Sequence, residues 1–122
     1  QPPEQESEPD EATDKSASEE LETILVFKTT KQETWLSVTP EGLHCKINDT
    51  REGKGGDQWT IPKLQVKEIL DSNSFHVNPG PKAKTGIFTI GPRRSWLYSK
   101  KLFPEPDYLH GVIKQLLRNV NS

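Results

Sequence analysis

The sequence predicts a mainly β domain, about seven short antiparallel strands followed by one C-terminal amphipathic helix. Two patterns carry that expectation. Short apolar stretches, several in strict apolar–polar alternation, recur between turn-forming Pro, Gly, Asn and Asp residues over residues 22–99. A sustained helical period comes only after them: Leu109, Val112, Ile113, Leu116, Leu117 and Val120 recur at steps of 3, 1, 3, 1 and 3. A third observation bounds the domain. Residues 1–20 hold eight acids, one base (Lys15) and only two apolar residues, for a net charge of −7, whereas residues 21–122 carry +5. The overall charge of −2 and pI of 5.9 therefore describe neither part. Residues 1–20 read as a disordered acidic tail, with too little apolar surface to offset ordering. Residues 21–122 read as one domain.

The elements follow in order. Residues 22–30 contain Ile24, Leu25, Val26 and Phe27, β-branched and aromatic content that favours a strand at this length. Residues 34–39 set Trp35, Ser37 and Thr39 against Leu36 and Val38. Pro40-Glu41-Gly42 makes a turn, because proline restricts φ and glycine permits positive φ. Residues 43–48 alternate again, with Leu43, Cys45 and Ile47 opposite His44, Lys46 and Asn48, which completes a hairpin. Residues 49–57, with Gly53, Gly55 and Gly56, read as a mobile loop. Residues 58–61 place Trp59 and Ile61 on one face, and Pro62 implies an edge or a bulge. Leu64, Val66, Ile69 and Leu70 read as a further strand, with a helical turn as the alternative. Residues 74–78, Thr85–Ile90 and Ser95–Ser99 are the last strand candidates. Asp107 is the expected cap of the C-terminal helix, and either Pro104 or Pro106 suits its entry. Gly111 is expected to mark a close approach. Lys114 and Arg118 lie where positive charge suits the helix dipole.

This order resembles the pleckstrin-homology superfold, which includes PH, PTB and FERM C-lobe domains. The resemblance covers about residues 21–121. Its best local support is Trp35-Leu36-Ser37-Val38-Thr39-Pro40-Glu41-Gly42-Leu43, similar to the second-to-third-strand hairpin of PTB-like and FERM C-lobe domains. It implies a seven-stranded antiparallel PH-like barrel or sandwich, capped by the helix, which plugs an open corner. By the PTB-like mode a ligand strand would join a sheet edge beside that helix. Here that edge is expected at residues 64–70, with Leu64, Val66, Ile69, Ile113 and Leu117 as groove candidates. Core packing is the main role expected of the helix stripe, leaving only its rim for a partner. The first hairpin offers Lys28 and Lys31 beside Glu33 and no arginine, a poor match for inositol-phosphate recognition at the usual site.

Catalysis draws little support from the residues. His44 and His76 fall at outward strand positions and His110 on the polar side of the helix, none in a nucleophile, metal or acid–base motif. With one cysteine and no spaced histidine pair, no zinc site is expected, nor any cofactor. The Gly-Lys-Gly-Gly run at 53–56 lacks the strand–loop–helix context of a phosphate loop. Trp96 and Tyr98 share a strand face and are expected in the core.

The bases are more informative. Lys82, Lys84, Arg93, Arg94, Lys100 and Lys101 lie within twenty positions. In an antiparallel meander the two lysine pairs share one end of the sheet and Arg93-Arg94 the other. Two readings stay open: solubilising charge, or attraction to an acidic partner or anionic membrane. Nucleic acid is disfavoured, because no base-stacking signature accompanies the modest charge. The expectation is a non-catalytic protein- or peptide-binding adaptor module, with peripheral binding of anionic lipid through basic loops as the alternative. Cys45 as the only cysteine precludes an intrachain disulfide, and the chain lacks methionine. A cytoplasmic segment of a larger protein is therefore expected, one that a membrane could recruit.

Overall fold

Two antiparallel meanders and two helices make up the computed structural model, which describes residues 22–53 and 55–122. The first sheet is β1 (Glu22–Lys28), β2 (Gln32–Thr39), β3 (Gly42–Asp49) and β4 (Asp57–Pro62), in that spatial order. Helix α1 (Lys63–Ser72) leads to the second sheet, β5 (Phe75–Asn78), β6 (Thr85–Ile90) and β7 (Ser95–Ser99), again in chain order. Helix α2 (Pro106–Val120) ends the domain. The expected tail at residues 1–20 lies outside the described residues.

The seven strands, their antiparallel pairing and the terminal helix match the sequence expectation. The sheets do not close into one hydrogen-bonded barrel, so of the two expected forms the structure is a sandwich. The central hairpin pairs Leu36 with Cys45 and Val38 with Leu43, and all four are core residues. At the turn, the Thr39 hydroxyl donates to the Gly42 carbonyl and accepts from the Gly42 N–H, at 3.0 and 3.2 Å. In β1 the alternation breaks. Leu25 pairs with Trp35 but Phe27 with Thr34, so Val26 is the extra residue of a β-bulge, and Val26 and Phe27 are both buried.

Residues 64–70 do not form the strand expected first; the structure has the helical alternative. They belong to α1, whose buried residues are Val66 and Ile69, three apart on one face. Two signals were available for this outcome. Gln65, Lys67 and Glu68 are good helix formers, and Asn73 suits a C-terminal stop. Asn73 adopts the left-handed region at φ 58°. Its N–H donates to the Leu70 carbonyl at 3.2 Å, and the Ser74 N–H to that of Ile69 at 3.1 Å, the Schellman arrangement. Pro62 ends edge strand β4 and caps the start of α1 in extended conformation.

Helix α2 buries Leu109, Ile113, Leu116, Leu117 and Val120, as its period predicts. It packs on β2 and β3 of one sheet, on β5 of the other and on α1. The cap is Glu105 instead of Asp107, because Pro106 takes the first helical position and Asp107 falls in the first turn. No close approach occurs at Gly111, where a side chain would meet open space. The close approach is at Gly86, paired with Tyr98 across β6 and β7, where a methyl group would overlap the Tyr98 ring. Trp96 and Tyr98 are both buried, as expected.

The same substitution should therefore act with opposite sign at these two glycines. In urea titrations, Gly86→Ala should lose about 1–3 kcal/mol through overpacking. Gly111→Ala should gain about 0.5–1 kcal/mol through helix propensity.

Candidate functional site

The two lysine pairs meet where the sheets come together. β1 ends beside the end of β7, and the Lys28 N–H donates to the buried Ser99 hydroxyl at 3.0 Å, joining residues 71 apart in sequence. A cleft of about 610 Å³ opens at this seam, lined by Phe27, Lys28, Thr29, Ala83, Lys84, Thr85, Ser99, Lys100 and Lys101. Four of the nine lining residues are lysines and none is acidic. Its size is within the range of sites for small ligands and side chains.

Each wall has a local cause. The bulge at Val26 turns Phe27 inward, and Phe27 forms part of the apolar lining. Thr85 pairs with Ser99 at the end of the β6–β7 ladder, which brings the residues before β6 beside those after β7. The Lys100 N–H donates to the Lys84 carbonyl at 3.0 Å, and the Lys100 ammonium to the Lys82 carbonyl at 2.6 Å. Lys82 thus supports the rim without lining the cleft. Lys28 lies 3.7 Å from Glu33, a pair exposed at the lysine and half-buried at the glutamate, of small energetic value. Lys84 and Lys101 form no ion pair with a described residue. Lys28 is the cleft residue that charge clustering in the sequence did not join to the others, because it comes more than fifty residues earlier.

Arg93 and Arg94 lie at the other end of the β6–β7 hairpin, in the turn before Ser95. They line a separate cleft of about 270 Å³ with Trp59, Thr60, Ile61, Gln65, Ile90 and Pro92. The Arg94 guanidinium lies 3.6 Å from the Trp59 ring centroid. Trp59 stacks on Trp96 at 5.1 Å, and Trp96 on Phe88 at 5.2 Å. This stack joins β4 of one sheet to β6 and β7 of the other, so Arg94 is occupied in a cation–π contact.

The expected peptide groove does not form at residues 64–70. Val66, Ile69, Ile113 and Leu117 are buried in the core, and Ile69 borders a small cleft with Gln65, Glu68, Ser72, Ser74 and Pro92. Leu64 projects to solvent, 74% exposed. The sheet edge beside α2 is β5, where Phe75 stacks on His110 at 4.7 Å. His44 is held by Thr60 and Gln58 at 2.9 and 3.1 Å, which assigns it a role in bracing β3 to β4. Among the described residues, no three His, Cys, Asp or Glu side chains gather to hold a metal ion. Among them, no helix is long and apolar enough to cross a membrane.

Two buried groups have shifted proton affinities. Burial pushes the Cys45 thiol up to about 12, with the Arg94 charge pulling weakly the other way. Burial also raises the Tyr98 phenol, whose hydroxyl has no hydrogen-bond partner among the described residues. Neither group is a nucleophile at neutral pH.

No family model, curated protein or solved structure matches the chain.

The Cys45 environment yields a test. The folded protein should resist iodoacetamide at about pH 8 and react fully in denaturant. The unfolded chain ionises first, near the ordinary thiol value of 9.0, so stability should fall as pH rises from there toward about 12. Cys45→Ala should show a shallower decline over the same range in chemical denaturation.

Proposed function

We propose that this chain is a non-catalytic, PH-like interaction module that captures an acidic protein or peptide segment in the Lys28–Lys84–Lys100–Lys101 cleft. The observation that carries the reading is four lysines around one concavity with no acid in its lining. Carboxylates entering the cleft would meet ammonium groups on several sides while the ligand's apolar atoms rest on Phe27 and the lysine stems. Such a segment recognises the site through charge and shape, as expected of an adaptor. The buried, unpaired Cys45 suits a cytoplasmic setting.

Membrane binding through the same bases is the second reading. It draws on one further observation: Ile87 and Leu97 pair across β6 and β7 and are 42% and 45% exposed. A bilayer would take such protruding apolar groups, with the lysines beside its headgroups. The cleft is concave, and a chain fills a concavity more readily than a planar surface does. The peptide reading therefore stands first.

Fluorescence anisotropy with a labelled oligoglutamate peptide, beside sedimentation with phosphatidylserine-containing vesicles, separates the two. The double variant Lys84→Glu, Lys101→Glu should weaken peptide binding by about tenfold or more, a loss of about 1.4 kcal/mol. Arg93→Glu, at the other end of the hairpin, should change it less than about twofold. Vesicle binding that Ile87→Asp and Leu97→Asp abolish, with no peptide binding in any protein, would replace the peptide reading with the membrane one.

A further inference from the structure

The chain supplies its own acidic segment. Residues 4–20 contain Glu4, Glu6, Glu8, Asp10, Glu11, Asp14, Glu19 and Glu20 against Lys15 alone. Residues 21–122 are net positive, and five of their bases (Lys28, Lys82, Lys84, Lys100 and Lys101) line the cleft or support its rim. The segment enters the domain at β1, the strand whose other end forms one wall of the cleft.

We infer that the acidic segment at residues 4–20 occupies the lysine cleft of its own domain and competes there with acidic partners. This rests on reading the cleft as a site for acidic peptide. Three considerations support it. The charges are opposite, and Lys84 and Lys101 lack ion-pair partners among the described residues. The reach suffices: from the start of β1 to Lys28 is about 20 Å along a seven-residue strand. The chain from Asp10 to Glu22 can span roughly 40 Å when extended. Tethering also holds the segment at an effective concentration of order millimolar, which favours it over an untethered ligand of similar charge. Glu19 and Glu20 adjoin the far end of β1, so the contact falls to the acids at 4–14.

The test keeps the full chain and changes only charge. All eight acids of residues 4–20 are replaced by Gln or Asn, and the product is compared with the native sequence. Two readouts are taken, the ¹⁵N–¹H positions of the Lys28, Thr29, Lys84, Thr85, Lys100 and Lys101 amides and the affinity for a decaglutamate peptide. In the native protein these amides should move as salt rises toward about 1 M, where screening extends only about 3 Å. In the neutralised protein they should hold one position throughout. At low salt the neutralised protein should bind decaglutamate about tenfold more tightly than the native one, and the difference should vanish at high salt. Equal affinities and coincident amides at low salt would overturn the inference and leave the cleft's function standing. Failure of decaglutamate to bind either protein would overturn the functional reading instead, and the amide positions would then decide the inference by themselves.

Discussion

The sandwich depends on the apolar stripe of α2. Among the described residues the two sheets share no backbone ladder, so strand pairing does not hold them face to face. Leu109, Ile113, Leu116, Leu117 and Val120 reach from the β2–β3 hairpin to β5 and across to α1. Burial of each such side chain contributes about 1.5–3 kcal/mol. Without them the inner faces of both sheets would be open to water. The C-terminal helix is therefore an internal component of the domain, with its apolar stripe committed to the core.

Two smaller contacts complete the joint between the sheets, and both border clefts. At one, the backbone of Lys28 reaches the Ser99 hydroxyl. At the other, Trp59 stacks on Trp96 and Arg94 lies over the Trp59 ring. At the first, Lys84 and Lys101 form no ion pair with a described residue, whereas at the second Arg94 is held over a ring. This difference, more than the count of charges, separates the candidate binding site from a structural clasp. It also explains why bases close together in the sequence divide between two roles.

Much of the architecture was legible locally. The β2–β3 hairpin was readable because alternate side chains of a strand share a face, and Pro40-Glu41-Gly42 left little choice of turn. Helix α2 was readable because its stripe runs for several turns. For α1 the sequence ranks a strand ahead of the helical turn that the structure shows, for a definite reason. Val66, Ile69 and Leu70 make too short a pattern to separate the two periods, and the deciding signal was Asn73, a stop residue outside the apolar run. The expected groove at residues 64–70 failed with it, since a helix has no free ladder to offer a ligand strand.

By itself the sequence determined the strands outside residues 64–70, the terminal helix, the burial of Trp96 and Tyr98, and the placement of the lysine and arginine pairs at opposite ends of one hairpin. Each follows from spacing along a single element or from one hairpin, where neighbours in sequence are neighbours in space. Only the tertiary structure decided that Lys28 and Phe27 join Lys84, Lys100 and Lys101 around one cleft. That meeting brings the end of β1 to the end of β7, across most of the domain's length. It is set by how two sheets pack around α2 and by the bulge at Val26, and no local period encodes either.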